Sequence, residues 1–173
     1  MANASVHLFT SQSGPGLARY AGEESEPLSA VLAAARERAR REGLPFAGQV
    51  GPHEAWALVK AGEAVLVDIR SAEERKFVGH VSESIHVAWM TGLSLSRNPR
   101  FLRELEARTG KDRVILLLCR SGKRSLDAAE AATKGGFGHV YNVREGFEGD
   151  LDELQRRGSF NGWRHAGLPW VQD

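Results

Sequence analysis

The period of the apolar positions changes repeatedly along this chain, and each change predicts an element. Leu28, Val31, Leu32, Ala35 and Ala39 recur at helical spacing over an Arg-rich outer face, and Gly43 supplies the stop. Residues 1–26, rich in Ser, Gly and small side chains, hold no sustained period and read as a loose arm. Pro45, Gly48, Gly51 and Pro52 mark a linker. Beyond it short apolar runs alternate with amphipathic ones. HEAWALVKAG reads as a helix, VLVDIR as a strand, SAEERKF as a short helix and SIHVAW as a strand. RFLRELEARTG then reads as a helix, VILLLC as a fully apolar strand, RSLDAAEAATKGGF as a helix and HVYNV as a strand. Strands buried on both sides and interleaved with helices predict an α/β domain: a mainly parallel central sheet with helices on both faces, preceded by an N-terminal arm and helix. The boundary is expected near residue 47, with 1–47 as arm and amphipathic helix and 48–173 as the main domain. Ligands of such a sheet sit beyond the carboxyl ends of its strands.

Composition narrows the function classes. The 173 residues carry 23 Lys plus Arg against 22 Asp plus Glu, a net +1, so no basic excess points to nucleic acid. The longest apolar run, VILLL, is far too short to cross a bilayer as a helix, and the N-terminus has no basic start followed by a long apolar stretch. A soluble, cytoplasmic protein without a membrane partner is expected. One cysteine excludes an intrachain disulfide framework and a cysteine-rich zinc site, and fits a reducing compartment. His80 and His86, without clustered carboxylates or further cysteines, make a poor metal site, so no metal is expected.

That cysteine sits where chemistry is favoured. Cys119 closes the apolar strand, a helix begins near Arg124 or Ser125, and the compact loop between them gathers Arg120, Lys123 and Arg124 with no acid before Asp127. Unpaired N–H groups at the helix start and the helix dipole make such a turn an anion cradle and favour thiolate over thiol. Gly122 allows the turn to close without a Cβ in the hollow. A lone cysteine at a strand end is commonly an inert buried thiol. Three cations crowded on the one turn already positive from its helix argue for an anionic partner instead.

The segment Cys119-Arg120-Ser121-Gly122-Lys123-Arg124-Ser125 resembles the active-site loop of rhodanese (thiosulfate sulfurtransferase) domains of the single-domain type. Asp68-Ile69-Arg70 with Glu74 is similar to the family's Asp-x-Arg-x-x-x-Glu, and Gly79-His80-Val81 to its Gly-His-hydrophobic signature. Gly136-Phe137, Val140 to Val143, Glu145-Gly146-Phe147, Asn161 to Arg164 and Gly167-Leu168-Pro169 match later segments, so the likeness runs from about residue 48 to 170. Three departures stand out, one of them about a dozen extra residues before Asn161. Ser82-Glu83-Ser84 replaces the usual Pro-Gly turn, and Glu145-Gly146 replaces a common Gly-Gly.

The resemblance implies a sulfurtransferase whose Cys119 takes the outer sulfur of thiosulfate as a persulfide, releases sulfite, and passes the sulfur to a thiophilic acceptor such as cyanide. It implies no metal or organic cofactor. Arg120, Ser121, Gly122, Lys123, Arg124 and Ser125 would bind substrate through backbone N–H groups and cationic side chains, with Arg120 alternatively turned outward into ion pairs. Asp68 and Arg70 would flank the site or hold loops together, and an ion pair between Arg70 and Glu74 is expected from their spacing. The partners would be a small anionic sulfur donor and a thiophilic acceptor. A relay from a protein persulfide to a biosynthetic partner is an alternative, with a Cys-dependent phosphatase or a non-catalytic regulatory module below it. Cys-based phosphatases place Arg six residues after the Cys; here that residue is Ser125, and Arg124 falls one position early.

Overall fold

The computed structural model describes residues 27–172; the N-terminal arm read from residues 1–26 lies outside them. In chain order the elements are α1 (Leu28–Glu42), β1 (Gly48–Val50), α2 (Pro52–Lys60), β2 (Val65–Asp68), α3 (Ala72–Val78), β3 (Ile85–His86), β4 (Met90–Thr91), β5 (Ser96–Arg97), α4 (Phe101–Thr109), β6 (Ile115–Leu118), α5 (Lys123–Lys134) and β7 (Val140–Val143). Five strands form one parallel sheet in the order β1-β7-β6-β2-β3. The strands β4 and β5 form a separate antiparallel hairpin.

Both faces of the sheet are covered, as the apolar runs require. Leu116, Leu118, Tyr141 and Val143 pack against Leu32 and Ala35 of α1, Ala55 and Leu58 of α2, and Trp163 of the closing segment. Ile115, Leu117, Cys119 and Val140 pack on the other side against Phe101 and Leu105 of α4 and Ala128, Ala129 and Ala132 of α5. Alternate residues of one strand thus serve opposite cores. The helix α1 lies directly on the sheet's edge, where Gly48 brings its backbone so near Ala35 that an added Cβ would meet the Ala35 carbonyl at 2.7 Å.

Three elements differ from the sequence expectation. The stretch read as linker contains β1, whose two polar or glycine residues hide a strand paired to β7. The run SIHVAW contributes only the two residues of β3, because the chain turns away after His86 toward the hairpin. Helix α5 opens at Lys123, slightly earlier than Arg124, so one of the loop's cations belongs to its first turn.

Candidate active site

The order of the strands fixes where a ligand can sit. From β6 the chain crosses over α5 to β7 on one side, whereas from β2 it crosses over α3 to β3 on the other. Neighbouring crossovers that diverge open a crevice between the carboxyl ends of β6 and β2. Cys119 follows β6 directly, and Asp68 ends β2. A cavity of about 310 Å³ opens there, lined by Ser71, Glu73 and Phe77 after β2, Leu93 and Leu95 of the hairpin turn, and Arg120.

The loop after β6 wraps around the sulfur. Cys119 is only 1% exposed. Its Sγ accepts hydrogen bonds from the Gly122 N–H and the Ser125 hydroxyl, both at 3.1 Å. Gly122 makes this possible in a left-handed conformation (φ 81°) at the start of α5, where no side chain caps the helix and no acid occupies the first turn. The orphan N–H groups of that turn remain available to an anion. From behind, the turn at residues 145–149 holds the loop: Phe147 N–H donates to the Cys119 carbonyl at 2.8 Å, and Glu148 and Gly149 donate to that of Arg120 at 2.9 and 3.2 Å. Gly146 allows this approach, since a Cβ there would lie 2.5 Å from the Cys119 carbonyl oxygen and 2.6 Å from Ser121 N. Where the resemblance calls for a second glycine, Glu145 adopts φ 68° and its carboxylate accepts the Gly162 N–H at 3.1 Å.

The three cations have separate fates. Arg120 and Lys123 are exposed and take part in no ion pair among the described residues, and Arg120 borders the crevice. Arg124 makes a bidentate pair with Glu74 of α3 at 2.9 and 2.6 Å, spanning the crevice from one crossover to the other. Glu74 also caps α3, accepting the Ser71 N–H at 3.0 Å while its own N–H donates to Ser71 Oγ. Burial would raise the Glu74 carboxyl, but Arg124 and the Ser71 N–H hold it below its ordinary value. For Arg124, burial pulls downward and is outweighed by Glu74, with the nearby Cys119 sulfur adding to the rise.

The expected Arg70–Glu74 pair does not form. Arg70 is fully buried and turns to Asp68, donating through Nε to Oδ1 at 3.0 Å and through Nη2 to Oδ2 at 2.7 Å. It also donates to the Gly79 carbonyl at 2.8 Å, and its guanidinium lies 4.0 Å from the centre of the Phe147 ring. Arg75 adds a second cation to Asp68 at 2.9 Å and reaches Ser84 at the same distance. Arg70 gives its hydrogen bonds to Asp68 and the Gly79 carbonyl and acts on Glu74 only at a distance, so Arg124 is the partner Glu74 bonds. Ser84 closes the turn onto Val81 through its hydroxyl at 2.6 Å, tying the departure from Pro-Gly into this cluster. His86 meets the Arg70 carbonyl at 2.8 Å and His80 bridges to Val171; neither is bonded to Cys119. Among the described residues no group of three or more His, Cys, Asp and Glu could hold a metal ion, and no helix is long and apolar enough to cross a membrane.

Two residues linked to the sulfur through Ser125 were absent from the expected site. Asn142, 1% exposed on β7, accepts from Ser125 Oγ at 2.5 Å and donates to Gln49 of β1 at 2.8 Å. A lone amide in the otherwise apolar strand VYNV was the available signal, because a polar group buried there needs a partner.

Known proteins carry the same architecture. The family model for the Rhodanese-like domain matches residues 51–153. The crystal structure of Rv0390 from M. tuberculosis superposes with a TM-score of 0.64 at 42% identity, covering 73% of this chain and all of that one. Uncharacterized protein RP600 of Rickettsia prowazekii is 35% identical over 117 residues, 65% of this chain and 87% of the relative. Thiosulfate sulfurtransferase GlpE of Actinobacillus pleuropneumoniae is 27% identical over 121 residues, 70% of this chain and 90% of that protein. The chain belongs to the rhodanese-like domain family.

Proposed function

We propose that this protein is a thiosulfate sulfurtransferase working through a Cys119 persulfide. The observation that carries the reading is the sulfur itself, which directly follows the central strand and receives two hydrogen bonds at the uncapped start of α5. In the first step the Cys119 thiolate attacks the outer sulfur of thiosulfate; a new S–S bond forms, and the old one breaks with its electron pair leaving on sulfite. The loop N–H groups meet the charge of the persulfide, as preorganised donors do where charge develops. In the second step a thiophilic acceptor such as cyanide takes the terminal sulfur, giving thiocyanate, and the electron pair of the broken S–S bond restores the thiolate. No step calls for a metal or an organic cofactor, and a free thiol of this kind suits the reducing cytoplasm.

Within this reading Arg120 and Lys123, both exposed, draw the dianionic donor to the crevice that Arg120 borders, and the backbone N–H groups of the loop from Ser121 through Gly122 to Ser125 bind it. Arg124 acts through its pair with Glu74 and keeps the loop closed. Asp68 and Arg70, paired with one another and fully buried, hold the wall after β2 together through Arg75 and the Gly79 carbonyl rather than touching substrate.

Intact mass after incubation with thiosulfate should increase by one sulfur, and cyanide should remove it. Steady-state transfer from thiosulfate to cyanide should fall to background in Cys119→Ser, with negligible hydrolysis of aryl phosphates by the wild type. Retention of most of the turnover by Cys119→Ser, or efficient phosphate-ester hydrolysis, would overturn the assignment.

A further inference from the structure

We infer that Asn142 and Gln49 form, with Ser125, a reversible hydrogen-bond relay that follows the charge on the Cys119 sulfur, and that both amides are positioning residues for its chemistry. Gln49 and Asn142 are register partners on adjacent strands, and Asn142 is in turn the register partner of Leu117, two residues before Cys119. One face of the sheet therefore carries an amide pair toward the sulfur, and Ser125 of α5 bridges the remaining gap.

Proton counting gives the relay its two states. The Ser125 hydroxyl has a single proton but two acceptors in reach, Cys119 Sγ at 3.1 Å and Asn142 Oδ1 at 2.5 Å. With the sulfur as a thiol, Ser125 donates to Asn142 Oδ1, the shorter of its two contacts, and Asn142 Nδ2 donates to Gln49 Oε1. A thiolate accepts only, so Ser125 must donate to it, and the serine oxygen then needs a donor from behind. Turning both amides over supplies it. Gln49 Nε2 donates to Asn142 Oδ1, Asn142 Nδ2 to Ser125 Oγ, and Ser125 to the sulfur. No proton leaves the relay, and every buried polar atom stays paired in both states. Gln49, half-buried on the edge strand β1, ends the relay where its side chain can turn.

The inference rests on Cys119 being the reactive nucleophile, and alkylation tests it whether or not sulfur is transferred. Rates of iodoacetamide alkylation would be followed against pH on the reduced full-length chain for wild type, Gln49→Glu and Gln49→Lys. Each would be repeated with Ser125→Ala, and circular dichroism would check folding. An acceptor-only Glu holds the relay in its thiol state, and a donor-only Lys in its thiolate state. With Ser125 present, the inflection should therefore rise by about half a unit or more in Gln49→Glu and fall by a similar amount in Gln49→Lys. With Ser125→Ala both displacements should fall to less than half their size, because the hydroxyl that transmits them is gone.

The charged groups around the loop are identical in all variants: Arg124 with Glu74, the Asp68–Arg70–Arg75 cluster, Arg120 and Lys123 of the loop, and Glu145, whose backbone packs under Gly122. Arg38, which donates to the Gln49 carbonyl at 3.3 Å, is likewise unchanged. Direct Coulomb effects of the new charge therefore persist without Ser125. Displacements that are absent, or that keep more than half their size in the Ser125→Ala background, overturn the relay.

Discussion

At the scale of single residues, the distinction among the three loop cations is the most consequential. By sequence alone Arg120, Lys123 and Arg124 are equivalent charges, yet Arg124 is committed to Glu74 and the other two are not. Lys123→Ala should chiefly raise KM for thiosulfate, since it removes attraction without removing a contact that holds the loop. Arg124→Ala should lower kcat/KM by about 10- to 100-fold, as expected for losing a charge-assisted hydrogen bond at the site, and it leaves an unpaired carboxylate facing the donor. Adding Glu74→Gln should then recover part of the loss in a steady-state assay. Recovery marks the stranded charge as the fault; its absence would mean that Arg124 itself contacts the reacting group. Cys119 and its loop were legible in the sequence because strand, loop and helix follow one another directly. The partners were not, because Glu74 lies fifty positions from Arg124, and Asn142 and Gln49 meet only through strand pairing.

Among elements, the loop after β6 is shaped by the turn packed beneath it as much as by its own residues. Gly146 is the point of closest approach, at φ 66° with the backbone of residues 119–121 where a Cβ would be. Gly146→Ala must move one backbone or the other, so a loss of about 2 kcal/mol or more is expected in urea unfolding. Turnover of the remaining folded protein should fall as well, because the carbonyls held by Phe147, Glu148 and Gly149 belong to the loop that carries Cys119. An unaltered unfolding midpoint would show that the turn yields freely. The alternation of helices with apolar strands carried most of this architecture. Strands of four apolar residues such as Ile115–Leu118 announce themselves, whereas Gly48–Val50 is a strand only because β7 offers it partners. The β4–β5 hairpin was unread for the same reason: two residues a side hold no period.

Across the whole molecule, Glu74 joins the crevice walls through Arg124 while Asp68 ties together the wall after β2, and because the fold resists protonation of both carboxylates, acid stability measures the two together. Burial would raise the Asp68 carboxyl, but Arg70's charge and hydrogen bonds, together with Arg75, more than offset it and leave it below its ordinary value of 3.8. Glu74 is likewise held below 4.5. A carboxylate with a depressed folded-state pKa contributes its full stability above the unfolded value, where both states are ionised. As the pH falls through that value the unfolded chain takes up protons first, and the contribution shrinks until the folded group is protonated too. The urea midpoint should therefore stay level from neutrality to about pH 5 and decline below it, through the region under 4.5 and 3.8. Asp68→Asn should remove its share of that decline and flatten the acid limb. It should also cost about 3–5 kcal/mol at pH 7, because Arg70 would remain fully buried without its counter-charge. An Asp68→Asn protein as stable as wild type at pH 7, or one with an unchanged acid limb, would show that Asp68 does not hold the wall after β2 together.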